Sequence, residues 1–238
     1  MCYNVNIGAA AYDHTVYSII SESLVFFNMR MRKKKHGAER IAACADLLFT
    51  DRAEIENFLK DKGSACQLEI GCGKGDFAIE ASQRTDIPFI AIERSSDVAV
   101  VAMEKAKAAG CDNLHFVVGN AELLLPNLFQ KGEVDTLYLN FSDPWPKKGY
   151  AKRRLTHRNF LALYRELLSD DGKIVFKTDN AGLFDFSLEE FAAAGFRMEE
   201  ICRDLHNSEY NEGNIQTEYE RNFSAKGFPI HRVVAYMH

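Results

Sequence analysis

Residues 68–75 read Leu-Glu-Ile-Gly-Cys-Gly-Lys-Gly, a short apolar strand that runs directly into three glycines at alternate positions. Glycine carries no Cβ, so Gly71, Gly73 and Gly75 permit a tight turn and let a ligand approach the main chain closely. In open parallel sheets such turns lie at the carboxyl ends of strands, where ligands bind. The stretch therefore predicts an α/β fold with a ligand lying across the end of this strand, close to Glu69.

The spacing of the glycines distinguishes two kinds of cofactor turn. Turns that bind dinucleotides leave two residues before the third glycine, whereas a single residue separates Gly73 from Gly75. Gly-x-Gly-x-Gly after a strand instead resembles the first motif of Rossmann-like S-adenosylmethionine (SAM) methyltransferases. A glycine-rich turn without any ligand is the alternative interpretation at this point.

The composition indicates one globular core and no membrane segment. With 238 residues, 47% of them hydrophobic, the chain can bury about 70 to 75% of its unfolded surface. No apolar run reaches the ~18 residues of a membrane helix, and the N-terminal charges follow the apolar stretch, unlike those of a signal peptide. The six cysteines form no Cys-x-x-Cys pair, so we expect reduced thiols, no metal and a cytoplasmic protein.

Positive charge is concentrated in two places, although the net charge is −5. Six basic residues and no acid lie between Lys147 and Arg158, and five basic residues lie between Arg30 and Lys35. Cationic clusters on an acidic protein suit docking on phosphates at a defined place. The alternative is a solvated face, which is the usual role of a run of charges.

Strand and helix patterns alternate from residue 65 onward, and the strand runs are apolar enough for burial on both faces. This alternation predicts a doubly wound α/β sheet. A polar segment at 206–227 is expected to be a functional loop. The expected strands are 66–70, 88–92, 114–118, 135–141, 173–177, 196–202 and 231–237, and the expected helices are 38–49, 51–60, 76–84, 95–109, 156–168 and 182–194.

Polar residues end the predicted strands at the edge of the sheet where ligands bind. Glu93, about 20 residues beyond the glycine turn, can accept both hydroxyls of a ribose. Asn120 can pair with an adenine edge, or can serve equally well as a turn residue. Glu69 would favour a cationic group. Asp143 follows the fourth strand and is held by two prolines, with the capping of a turn as its alternative role.

Four motifs together carry a resemblance to one family. The glycine turn, the run Ser-Asp-Pro-Trp-Pro-Lys at 142–147, Lys-Thr-Asp-Asn at 177–180 and Thr-Glu-Tyr-Glu at 217–220 resemble the bacterial tRNA (guanine-N(7))-methyltransferase family. The match runs from Met29 nearly to the end. It implies a Rossmann-like, mostly parallel seven-stranded sheet with the last strand antiparallel. It also implies transfer of the SAM methyl group to nitrogen 7 of a guanine in the tRNA variable loop, by a monomer or homodimer.

The resemblance also assigns site residues. The SAM-binding set is Glu69, Gly71, Gly73, Gly75, Glu93, Asn120 and Asp143, of which Asp143 is also the catalytic residue. The substrate-binding set is Lys147, Asp179, Thr217, Glu218, Tyr219 and Glu220. The RNA-contacting set is Lys148, Gly149, Tyr150, Lys152, Arg153 and Arg154. Asn120 stands where the family often has an acid, so this chain departs from the family pattern at the expected adenine contact.

The expected domain organisation follows from the same match. Residues 1–28 have no counterpart in the family pattern and are expected to be a poorly ordered extension. Residues 29–62 would form a basic arm with helices. Residues 63–238 would form the methyltransferase domain.

The chemistry of guanine suggests roles for the acidic residues. Nitrogen 7 of neutral guanine has a free lone pair, so Asp143 is expected to orient and stabilise charge more than to remove a proton. Guanine presents two adjacent donors that a carboxylate can accept, which makes Asp179, Glu218 and Glu220 candidate readers of the base. For Glu218 and Glu220 a solvated acidic loop is the alternative.

The sequence leaves three alternative functions. An exocyclic-amine methyltransferase has an Asp-Pro-Pro-aromatic motif similar to residues 143–146, although the order differs here. An NAD-dependent oxidoreductase is disfavoured by the glycine spacing. A non-catalytic tRNA-binding module would keep the fold without turnover, but the presence of Glu69, Glu93 and Asp143 favours an enzyme.

Overall fold

A computed structural model describes residues 36–63 and 65–237. Its strands are β1 (Cys66–Ile70), β2 (Phe89–Glu93), β3 (Leu114–Val118), β4 (Val134–Asn140), β5 (Leu168–Thr178), β6 (Arg197–Cys202) and β7 (His231–Tyr236). They form a seven-stranded sheet in the order β3-β2-β1-β4-β5-β7-β6. The first five of these are parallel, and β7 runs antiparallel to both β5 and β6. The expected Rossmann-like fold with an antiparallel last strand is confirmed.

Helices connect the strands and cover both faces of the sheet. They are α1 (Gly37–Ala42), α2 (Arg52–Lys62), α3 (Asp76–Gln83), α4 (Ser96–Ala108), α5 (Ala121–Leu128), α6 (Arg158–Arg165), α7 (Ala181–Ala193) and α8 (Glu218–Ser224). Short 3-10 turns lie at Ala45–Leu47, Lys148–Arg153, Leu205–Asn207 and Glu209–Asn211. One apolar cluster packs α3 and α4 against β2 and β3, and the other packs α2, α5, α6 and α7 against the opposite face.

The segment before the sheet, residues 37–62, was predicted to form two helices, and the structure differs from that prediction at the first of them. The Asp51 and Glu54 capping box is present, so the start of α2 is confirmed. The single helix expected over 38–49 is wrong, because α1 ends at Ala42 and the chain then becomes extended at Leu48. Phe49 N donates to a β3 carbonyl at 2.9 Å, so backbone pairing with the sheet edge overrides the helical spacing of the apolar residues.

Two helices were not anticipated. Helix α5 has only eight residues and contains Pro126, and a proline inside a segment argues against a helix there. The segment 206–227 is not a loop throughout, since it contains α8, a seven-residue helix of mostly polar residues. Thr217 caps this helix, with its hydroxyl oxygen accepting from Glu220 N at 2.9 Å. A short polar helix shows little apolar periodicity, so its position depends on specific tertiary contacts.

None of the helices in the described residues is long and apolar enough to cross a membrane. The cysteines at 44, 66, 72, 111 and 202 are free and buried, as small core residues.

Candidate active site

The glycine turn after β1 is built from left-handed backbone. Gly71, Gly73 and Gly75 have φ of 84°, 57° and 83°, which side chains rarely adopt. A Cβ on Gly75 would lie 2.7 Å from the Ala102 Cβ, so this glycine allows α3 and α4 to pack closely. A Cβ on Gly71 or Gly73 would meet no described atom within 4 Å. The third glycine thus serves packing, and the first two leave open space over the strand end.

Glu69, on β1, is a buried acid with an unused oxygen. Glu69 is 2% exposed. The side-chain amide of Asn140, at the end of β4, donates to Glu69 Oε1 at 2.8 Å. Glu69 Oε2 and Asn140 Oδ1 are both buried with no hydrogen-bond partner among the described residues. Burial raises the pKa of Glu69 to about 7, against the opposing effects of the Asn140 hydrogen bond and the Lys177 charge. Two buried acceptors without donors fit a cationic group that donates hydrogen bonds.

Glu93 ends β2 next to the same turn. Its carboxylate accepts from Gly73 N at 3.1 Å and from Ser95 N at 2.8 Å. Burial raises the pKa of Glu93, and these two backbone hydrogen bonds oppose the rise. Each carboxylate oxygen has a second lone pair, so the geometry leaves acceptor capacity for the hydroxyl groups of a ligand.

Asn120, after β3, is exposed and caps α5. Its Oδ1 accepts from Glu122 N at 3.2 Å. The structure therefore gives Asn120 the alternative role of a turn residue, and contact with an adenine stays a prediction.

The Asp143 motif lies directly beyond β4, in a strained loop. Phe141 and Trp145 have positive φ of 52° and 40°, a conformation that costs free energy and persists only when the surroundings hold it. Arg154 provides that support, because its guanidinium donates to the carbonyls of Pro144 at 3.0 Å and Trp145 at 3.1 Å. The Asp143 carboxylate is exposed and makes no hydrogen bond or ion pair to any residue that the structure describes. It is therefore available to a ligand.

The basic segment continues from this loop. Lys147 precedes the 3-10 turn, and Lys148, Gly149, Lys152 and Arg153 are exposed along it. Arg153 lies 4.9 Å above the Trp145 ring and 4.8 Å from that of Tyr150, which is 43% exposed. Arg158 instead pairs with Glu190 at 2.7 Å. The cluster from Arg30 to Lys35 lies outside the described residues.

Asp179, which follows β5, and the first residues of α8 lie close together, and α8 contacts the glycine turn. The Tyr219 hydroxyl donates to Asp179 Oδ2 at 3.3 Å, and the Tyr219 ring lies 5.1 Å from that of Phe141. Glu218 forms an ion pair with Lys74 of the glycine turn at 3.0 Å. The structure thus brings Asp179, Glu218 and Tyr219 close to the Asp143 motif.

Glu220 is placed differently from the other predicted substrate residues. Glu220 is 0% exposed, and its carboxylate forms an ion pair with Lys177 at 2.6 Å inside the protein. The structure does not bring this carboxylate to the surface of the site.

Two residues of the site, Asn140 and Lys177, were not anticipated. Arg154 was expected to contact RNA, and its support of the loop is an additional role. A signal exists for Lys177, since a lysine that ends the apolar run Ile-Val-Phe of a buried strand requires an internal partner. Asn140 offers no such signal before its neighbour on β1 is known.

Comparison with known proteins gives consistent results. A family model described as "putative methyltransferase" matches residues 64–233. A tRNA (guanine-N(7)-)-methyltransferase of Limosilactobacillus reuteri is 44% identical over 87% of this chain and 99% of that protein. Proteins of the same name from Lachnoclostridium phytofermentans and Bacillus velezensis are 51% and 43% identical, over 71% and 86% of this chain and 79% and 95% of their own lengths.

Solved structures support the fold. An antibiotic-related methyltransferase superposes with a TM-score of 0.58 at 15% identity, covering 80% of this chain and 95% of its own. A 16S rRNA methyltransferase also gives a TM-score of 0.58 at 14% identity, covering 79% and 94%.

Proposed function

This chain belongs to the tRNA (guanine-N(7)-)-methyltransferase family, and from that premise we propose that it transfers the methyl group of SAM to nitrogen 7 of a guanine in the tRNA variable loop. The observation that supports this most is the hydrogen bond from Asn140 to Glu69. It joins the strand that leads into the glycine turn to the strand that leads into Asp143. The cofactor turn and the candidate catalytic carboxylate therefore share one edge of the sheet.

The residues around the glycine turn fit SAM. The unpaired acceptors on Glu69 and Asn140 suit its cationic end, and the carboxylate of Glu93 suits the ribose hydroxyls. Gly71 and Gly73 leave open space for a ligand against the backbone. When bound, SAM supplies an electrophilic methyl group. Asn120, at the end of the neighbouring strand, is the candidate for the adenine.

Asp143 is the candidate catalytic residue because its carboxylate is exposed at the strand end and free of partners among the described residues. Nitrogen 7 of guanine needs no prior deprotonation, so the protein contributes orientation and charge stabilisation. Positive charge grows on the guanine ring as the new bond forms. A carboxylate beside the ring stabilises that charge more in the transition state than in the ground state.

We assign recognition of the substrate to Asp179 after β5, to Thr217 and the start of α8, and to the basic segment. Asp179 and Glu218 supply carboxylates for the two adjacent guanine donors, and Tyr219 and Thr217 complete that surface. Lysines at 147, 148 and 152 and Arg153 would contact phosphates, which gives affinity without sequence information. Because tRNA is the substrate, we expect the protein to act in the cytoplasm, as a monomer or homodimer.

Nucleoside analysis of the product tests the proposal. The protein is incubated with labelled SAM and tRNA from a strain that lacks 7-methylguanosine, and the label is mapped. The proposal expects 7-methylguanosine in the variable loop, and no incorporation into tRNA that already carries this base. A methylated exocyclic amine would indicate the alternative methyltransferase, and RNA binding without release of S-adenosylhomocysteine would indicate a non-catalytic module.

A further inference from the structure

Lys177 is a buried cation with three internal acceptors. It is the penultimate residue of β5, and its side chain is 3% exposed. Its Nζ donates to Glu220 Oε2 at 2.6 Å, to Asn214 Oδ1 at 3.1 Å and to the Ile215 carbonyl at 2.8 Å. All three acceptors belong to the segment between β6 and β7. One lysine on the sheet therefore holds that segment at three points.

Glu220 completes the same network from the side of the segment. Its Oε1 accepts from Asn214 Nδ2 at 2.8 Å and lies 3.1 Å from His206 Nε2, while Oε2 accepts from Lys177. Both carboxylate oxygens are therefore occupied inside the protein. A carboxylate that is 0% exposed and engaged in this way cannot accept hydrogen bonds from a guanine without dismantling the network.

The network lies directly behind residues that face the site. Lys177 is two residues before Asp179 on the same chain segment, and Glu220 follows Glu218 and Tyr219 within the first turn of α8. A helix of seven residues has little stability of its own, so its place is set by contacts such as these. The exposed ion pair of Glu218 with Lys74 is too weak to hold it alone.

We propose that Lys177 and Glu220 are positioning residues, whose buried ion pair sets Asp179 and the start of α8 in the arrangement that receives the guanine. This inference rests on the proposed function and refines it, since Glu220 then acts through its neighbours and not as a reader of the base. Loss of the pair would displace the substrate residues more than the glycine turn, which follows β1 and is fixed by its own left-handed backbone.

The test removes both charges together. Removal of one partner would leave an unpaired buried charge and endanger folding, whereas replacement of both by apolar residues of similar size is often neutral for stability. The variant is Lys177→Met with Glu220→Leu. The matched control is Arg52→Met with Glu133→Leu, an ion pair that is less buried. Arg52 begins α2 and Glu133 precedes β4, at the opposite end of β4 from Asn140. Melting temperature, SAM affinity, tRNA affinity and kcat/KM are measured for both.

We expect kcat/KM for tRNA to fall by on the order of 10²-fold in the Lys177/Glu220 variant, because small displacements of substrate-positioning groups have effects of that size. Its SAM affinity should fall far less than its kcat/KM, because the Lys177 charge affects Glu69 less than burial and the Asn140 hydrogen bond do. The control should keep wild-type kcat/KM whatever its melting temperature. Equal kinetic losses in both variants, or unchanged kinetics in the first, would overturn the inference. Affinity for tRNA does not require turnover, so the inference is tested even if the wild-type protein forms no 7-methylguanosine.

A variant that fails to fold is replaced by Lys177→Gln with Glu220→Gln, which removes both charges together and keeps a polar side chain at each position. A positioning role predicts that this variant retains the wild-type preference for guanine with a smaller loss of kcat/KM. A change in the methylated base would show instead that Glu220 reads the guanine.

Discussion

The two halves of the candidate site are built in different ways. On the side of β1 and β2, left-handed glycines form the turn, Glu69 is buried on the strand before it, and Glu93 is held by backbone amides. On the side of β4 and β5, the candidate groups are exposed and are held by side chains, with Arg154 supporting the Asp143 loop and Lys177 supporting α8. The cofactor half depends on backbone conformation, and the substrate half depends on a few internal charges.

This difference fits the tasks proposed for the two halves. A small cofactor can be enclosed by a rigid turn that excludes water, which strengthens electrostatic interactions with Glu69. A large RNA must enter from solvent, so its partners need to be exposed while their positions stay fixed. Variants on the two sides should therefore fail in different measurements.

The largest effect is expected at Asp143. Asp143→Ala should lower kcat by about 10²- to 10³-fold, the usual range when one group that stabilises transition-state charge is removed. SAM affinity should change far less. Kinetics under saturating tRNA and titration with SAM measure the two quantities.

Asp171→Ala serves as the matched control, because Asp171 is an exposed acid near the start of β5, whereas the candidate site lies beyond the ends of β4 and β5. An equal loss of turnover and SAM affinity in Asp143→Ala would contradict the assignment. Asp143→Asn separates charge from shape, and recovery of activity in that variant would argue against an electrostatic role.

Gly75 gives the next largest effect, on the cofactor half. Gly75→Ala places a Cβ 2.7 Å from that of Ala102 at a φ of 83°, so both crowding and backbone strain oppose folding. We expect a loss of about 2 to 5 kcal/mol in the free energy of unfolding. Gly73→Ala meets no described atom within 4 Å and should lose only about 1 to 2 kcal/mol from its backbone conformation.

Urea denaturation measures these losses, and titration with SAM adds the functional contrast. Gly73→Ala should weaken SAM binding more than its small loss of stability implies, because its methyl group enters the space left for the ligand. If Gly75→Ala proved as stable as Gly73→Ala, the close packing of α3 on α4 would not be the reason for the third glycine.

The same contrast explains what could be predicted from sequence. The glycine turn and Glu93 were predictable because a left-handed backbone and a strand end depend on local sequence. Helix α8 was missed, since its seven residues are polar and it is fixed by Lys177 from a distant strand. The burial of Glu220 could not be predicted, because an acid in a polar run gives no indication of burial, which depends on tertiary contacts.

A pH dependence is expected from Glu69. Burial raises its pKa from 4.5 to about 7, so between these values the folded protein holds a proton that the unfolded chain has lost. The free energy of unfolding should therefore fall as pH rises from 4.5 to 7, by about 3 kcal/mol for this group, and change no further above 7. Urea denaturation at several pH values measures it. Glu69→Gln should flatten the dependence, and an unchanged slope in that variant would assign it to other groups.

The smallest effect belongs to the exposed lysines of the substrate half. If Lys148 and Lys152 each contact a phosphate, Lys148→Ala with Lys152→Ala should reduce the slope of log affinity against log salt by about 1.4 to 1.8. Lys131→Ala, an exposed lysine between α5 and β4, is the control and should leave the slope unchanged. Binding of tRNA over a range of salt concentrations measures both.

Because phosphate contacts carry no sequence information, the double variant should methylate the same guanine at saturating tRNA. Methylation at a new position would mean that these lysines also set the register of the RNA.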